Sequence, residues 1–316
     1  GPVLGGFIVQ AASWRWIFFI NVFIVLAAAP LMARTLPNFE PFNRESKLDV
    51  FGILDLSVMS AALIYGITKA ADHATFNNRE SLIWTGIGLA LLIVYILYDH
   101  RKNHQTVLPL TIFSHRSFKA SSVGLFFANI AIMGPMLILP LFFQNFRHFS
   151  AMEAAIALIP QGIGMLVTRP LIGKLIDRLG AKYVVIVSLI ISLVGTIPLV
   201  FVTDKTSMVW VALILFIRGT SFGGINLPLT SDAYTGLTDE ELPDAGVGIN
   251  IIENLGSSFG SAMIATVVAT ALQGTQPTIA HELSAYHAGF FVSVVVLALI
   301  FIPSIFLTNK VKSINE

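Results

Sequence analysis

Cysteine is absent from all 316 residues, which excludes disulfides, thiolate metal sites and a cysteine nucleophile together. Charge is scarce. Asp, Glu, Lys and Arg make up 12% of the chain, about half of the ~25% typical of a soluble domain. The net charge is +1 at pH 7, so no basic surface invites nucleic acid. The signatures of several chemistries are missing as well. Without a GxxxxGK[ST] loop the chain does not itself hydrolyse ATP, and there is no HExxH, no GxSxG and no dinucleotide fingerprint. No cofactor, no metal and no enzymatic reaction are called for. His100 and His104 stand one helical turn apart, but no third ligand is near, and they read as an interfacial helix end.

Apolar sequence fills the space that charge leaves. Hydrophobic residues make up 55% of the chain, too much for a soluble fold of this length to hide, so lipid must solvate part of it. A membrane helix needs about 20 mostly apolar residues. Scanning on that rule gives one broken span at 1–12. Nine whole spans follow, near 17–33, 51–70, 82–98, 120–143, 154–175, 183–202, 209–229, 247–272 and 288–307. The joins are short and polar, and the alternating ten-residue segments of a β-barrel are absent. The expected fold class is all-α, a polytopic helix bundle.

Placing Arg34 in the cytoplasm puts twelve of the nineteen Lys and Arg in inner loops and five outside, with Arg169 and Arg218 left in or near the membrane. This bias predicts a multi-pass protein of the inner (plasma) membrane with a cytoplasmic C-terminus. Loop spacing divides the chain into three blocks. Residues 1–34 are the tail of a first bundle, 35–117 an isolated two-span hairpin, and 118–316 a six-span bundle the size of one transporter half.

Three motifs stand out. The first is Gly1-Pro2-x-x-Gly5-Gly6, where small residues allow close helix contact and Pro bends the span. It runs on to Trp14-Arg15-Trp16-Ile17-Phe18-Phe19-Ile20-Asn21, an aromatic anchor at a membrane interface. Together they closely resemble the fourteen-span drug:proton antiporter family of the major facilitator superfamily, the bacterial multidrug exporters. The second motif is Gly173-Lys174-Leu175-Ile176-Asp177-Arg178-Leu179-Gly180-Ala181-Lys182, read as a short inner loop. It is similar to the second-half copy of the superfamily's loop signature. Asp177 is expected to face the N-terminus of the next helix, with Arg178 and Lys182 holding the loop inside, the whole acting as a conformational latch. The third is Arg218-Gly219-x-x-x-Gly223-Gly224-x-Asn226-x-Pro228, an expensive intramembrane Arg at a Gly-interrupted helix. It could serve transport directly or bond exposed carbonyls.

Glu253 is the most suggestive single residue. Asn250, Glu253, Asn254 and Ser257 fall at i, i+3, i+4 and i+7, on one helix face within an apolar span. A carboxylate there can exchange a proton near physiological pH or neutralise a cationic cargo. The structural alternative is a Glu bonded to a neighbouring Asn or paired with Arg218. Asp55 reads either as a functional acid or as a first-turn acid favoured by the helix dipole. Glu153, after Ser150, reads as a helix-start residue, and the acidic run Asp239–Asp244 as a solvated inner loop.

The resemblance implies a secondary active transporter that exports lipophilic or cationic compounds from the cytoplasm in exchange for protons. Its partners would be small-molecule drugs or other amphipathic substrates, protons and the lipid bilayer, with accessory export proteins left unspecified. It also implies a major facilitator fold lacking its first four spans, so that this chain alone would not transport. The alternatives are an exporter of a lipid, amino acid or siderophore, or a truncated, non-transporting remnant.

Overall fold

The computed structural model describes Ile8 and residues 13–35, 48–273 and 278–308. Gly1, Pro2, Gly5 and Gly6 lie outside the described residues, as do Arg44, Lys47, Lys310 and Lys312. Among the described residues there is no strand, and nine helices are long and apolar enough to cross a membrane. They are α1 (Arg15–Thr35), α2 (Val50–Asp72), α3 (Arg79–Arg101), α4 (Arg116–Phe146), α5 (Ala151–Leu179), α6 (Ala181–Phe201), α7 (Met208–Ala233), α8 (Leu242–Leu272) and α9 (Ile279–Ser304). Each coincides with an expected span. The last begins nine residues earlier than expected, because Thr278 caps it by accepting from the His281 N–H, ahead of the apolar run.

These helices are apolar nearly all round, as lipid requires of the outer face and packing of the inner one. On α6, Tyr183, Val187, Ile190 and Val194 are exposed while Val184, Val185 and Leu189 are buried. No residue of α1 is buried, and the ring of Trp14, just before it, carries the Arg15 guanidinium 5.2 Å from its centre. Glu153 begins its helix as expected, in a reciprocal capping box with Ser150.

Two apolar cores occupy the two ends of the α4–α9 bundle. One gathers Phe118, Leu125, Leu189, Leu229, Ile249 and Leu297, and the other Phe142, Phe143, Leu199, Val211, Leu215 and Phe290. Helix α8 seats on α4 through Gly256 and Gly260. A Cβ there would lie 2.6 Å from the Phe126 carbonyl and 2.5 Å from the Ile130 Cα, so only glycine permits the approach. Helices α2 and α3 form a hairpin that packs on α8.

The second motif differs from expectation. Gly173 to Leu179 is the last part of α5, and the turn into α6 is Gly180 alone, at φ 82°. One residue suffices because glycine accepts a positive φ without strain.

A candidate transport site at mid-depth

Between the two apolar cores lies a polar layer. Glu253 is eleven residues into α8 and Arg218 ten into α7, so each sits about 15 Å from the start of its helix, well inside a membrane-length segment. Glu253 is partly exposed, and among the described residues it makes no hydrogen bond and no ion pair. Neither structural alternative, a bond to a neighbouring Asn or a pair with Arg218, is present. The Asn250 amide nitrogen donates to the Gly246 carbonyl and that of Asn254 to the Asn250 carbonyl, each at 2.8 Å. Ser257 donates instead across the seam to Asn129 of α4, at 3.3 Å.

Arg218 is 1% exposed. Its guanidinium donates to the Gln161 side-chain oxygen of α5 (2.9 Å) and to the Ala131 carbonyl of α4 (3.3 Å), and its carbon lies 4.8 Å from the Phe222 ring centre. Its Nε finds no acceptor, and no carboxylate of the described residues lies within ion-pair distance. Dipoles and a π face therefore hold this charge, and in doing so they tie α4, α5 and α7 together. Gly195 of α6 closes the fourth side, since a Cβ there would lie 2.7 Å from the Arg218 backbone nitrogen.

Asp55 does not join this layer. It sits in the second turn of α2, not the first, because Asp49 is the N-cap and accepts from the Gly52 N–H at 3.0 Å. Asp55 is 7% exposed, with one carboxylate oxygen lacking any partner. It shares its helix face with Gly66, which lies against Thr85 of α3.

Of the latch residues, Asp177 and Arg178 are exposed and Asp177 makes no polar contact among the described residues, so the expected approach to the α6 N-terminus is not made here. Gly173 has nothing within 4 Å of where a Cβ would stand. Lys182 does reach a partner, donating to the Ile305 carbonyl at 2.9 Å.

Sequence reasoning passed over several residues. Asp232, 1% exposed near the inner end of α7, accepts from Ser121 of α4 (3.2 Å) and from the N–H (3.1 Å) and hydroxyl of Thr308. It lies three residues past the expected span of 209–229, where local sequence does not distinguish a solvated carboxylate from a buried one. Arg169 is exposed although it lies ten residues, about 15 Å, from the end of α5. It was noted only as an unplaced charge in the count of loop cations. Glu241 is not merely solvated: it accepts from Thr238 and bonds His115 at 3.2 Å. Those bonds, the Thr238 N–H first, hold its carboxyl below the ordinary value. His104, set beside His100 in sequence, bonds Asp99 at 2.5 Å, and no metal-binding cluster occurs among the described residues.

Nine helices of membrane-spanning length, with charged and amide side chains placed inside the spans, are the architecture of a polytopic membrane protein. The chain belongs to the Major Facilitator Superfamily, whose family profile matches residues 1–261. It is 27% identical over 270 residues to the Multidrug resistance protein B homolog of Mycobacterium tuberculosis, covering 85% of this chain and 50% of that protein. Similarity extends to the Multidrug export protein EmrB of Haemophilus influenzae, at 26% over 265 residues, covering 83% and 52%. The Probable multidrug resistance protein EmrY of Escherichia coli is 26% identical over 271 residues, covering 84% and 52%. The chain thus spans about half the length of the curated relatives it matches.

Proposed function

We propose that the protein exports lipophilic and cationic small molecules from the cytoplasm in exchange for protons, with Glu253 as the group that exchanges the proton or meets the cation. The observation that carries this reading is a partly exposed carboxylate inside a membrane-length helix whose side chain has no hydrogen bond and no counter-ion among the described residues. Such a group is costly unless it is used. Asn250 and Asn254 supply further polar groups on the neighbouring face, and Arg218 holds the helices around them. In this reading Asp55 is a second acid in the two-span hairpin. Residues 118–316 form one transporter half, 35–117 the hairpin, and 1–34 the tail of the other half. The C-terminus is cytoplasmic, as the charge bias favours. The segment Gly173–Lys182, with Gly1, Pro2, Gly5 and Gly6, belongs to the moving parts of alternating access.

The test is Glu253→Gln, which keeps size and hydrogen bonding but removes the charge. In cells expressing the complete transporter of which this chain is part, efflux of lipophilic cations driven by a proton gradient should fall at least tenfold, with the amount in the membrane unchanged. Undiminished efflux of mono- and divalent cations by a well-expressed variant would sink the reading.

A further inference from the structure

Asn250 and Asn254 share a helix stripe with Glu253 but not its surroundings. They line a cavity of about 350 Å³ between α2 and α8, from which Glu253 is absent. Leu56, Ser57 and Ser60 of α2 and Val107 of the connection after α3 form the facing wall. The volume lies within the ~300–1,000 Å³ of small-molecule sites.

The lining offers mainly acceptors. Each Asn amide nitrogen is turned back onto its own helix, to Gly246 and Asn250, which leaves the two amide oxygens as the groups offered outward. The Ser57 hydroxyl also donates back to its own helix, at 2.6 Å to Ile53. Among the described residues no charged side chain lines the cavity; the Ser60 hydroxyl is the remaining polar group, able to donate or accept, and the other walls are aliphatic. Acceptor oxygens beside an apolar wall complement a flat apolar body with an N–H or ammonium head. The cavity lies toward the starts of α2 and α8, the half of the bilayer that the charge bias assigns to the cytoplasm.

We propose that the α2–α8 cavity is a loading subsite for amphipathic amines, distinct from Glu253, where cargo is held before it reaches the carboxylate. Its cargo class rests on the export reading above, but its location does not. The two-span hairpin then contributes one wall of a binding site.

The natural absence of cysteine makes the test direct. Single cysteines at Ser57 or Ser60 of the full chain in lipid nanodiscs are labelled with a methanethiosulfonate reagent, with and without ethidium, a flat cation bearing aromatic amines. Ethidium should slow labelling of S57C and S60C at least fivefold and leave S207C, in the loop before α7, unchanged. Adding Asn250→Leu and Asn254→Leu to S60C should raise the half-protecting concentration about tenfold, while adding Glu253→Gln should move it less than twofold. Labelling that ethidium does not slow overturns the proposal. So does protection that survives loss of both amides, or protection that vanishes in Glu253→Gln. Protection that persists while Glu253→Gln retains normal efflux would reject the carboxylate reading and leave the subsite standing.

Discussion

Replacing Gly219 with alanine should break the clamp around Arg218. A Cβ at Gly219 would lie 2.1 Å from the Gln161 carbonyl oxygen, 2.8 Å from its carbon and 2.9 Å from its Cα. All three atoms are backbone, so no rotamer change relieves the clash, and α5 and α7 must part by roughly 1 Å to restore ordinary contact. That movement draws Gln161 away from Arg218, to which it now lies 2.9 Å away. Overpacking costs about 1–3 kcal/mol, and a lost polar contact between membrane helices adds about 0.6–2 kcal/mol. Alanine in a helix interior returns about 0.5–1 kcal/mol over glycine. The balance is a loss of about 1–4 kcal/mol, centred on ~2.5 kcal/mol. Gly173→Ala is the matched control. Nothing stands within 4 Å of its Cβ position, so this variant should gain about 0.5–1 kcal/mol. Reversible unfolding in mixed micelles reads both. A Gly219→Ala protein within about 0.5 kcal/mol of the unmodified chain would refute the reasoning, because it would mean that α5 and α7 have slack and that Arg218 is not clamped.

Asp232→Ala should strip the Ser121 and Thr308 donors of their acceptor and cost about 1–3 kcal/mol, with Asp232→Asn losing less; faster proteolysis beyond Thr308 would report the released end of α9. Gly180→Ala forces a side chain into φ 82° and should lower stability by about 1 kcal/mol in the same micelle assay. Burial opposes the charge of Asp49, but the Tyr98 hydroxyl and the Gly52 and Val107 N–H groups outweigh it, so its carboxyl lies below the ordinary 3.8. A depressed value means that its stabilisation is whole above pH ~3.8 and is lost as the pH falls through the depressed value. The difference in unfolding midpoint between the unmodified protein and Asp49→Ala, about 1 kcal/mol at neutral pH, should therefore shrink below pH ~3.8.

Some features of the candidate site are legible in the linear chain and others are not. Glu253 stands out because a carboxylate inside an apolar run is visible without knowing its neighbours. Its separation from Asn250 and Asn254 does not, since helical periodicity puts the three within one broad stripe and only the position of α2 decides which of them borders a cavity. Arg218 was visible as an intramembrane charge, yet its partners Gln161 and Ala131 lie 57 and 87 residues away, beyond any local pattern. Asp232 was missed because a carboxylate near a helix end looks solvated until Thr308 folds back onto it.

Membrane class, helix class, all nine described spans and the Ser150–Glu153 start of α5 follow from the linear chain. Apolar run length and capping chemistry are local, and in lipid each segment must satisfy its own backbone hydrogen bonds before any neighbour arrives. The tertiary structure alone decided that Gly173 to Leu179 is helix with a one-residue turn, that dipoles and not a carboxylate hold Arg218, and which residues border the α2–α8 cavity. Each of these depends on which helices come to lie side by side. That is set by steric fit at glycine contacts such as Gly219 on Gln161 and Gly256 on Phe126, a property of surfaces that meet only after the spans have formed.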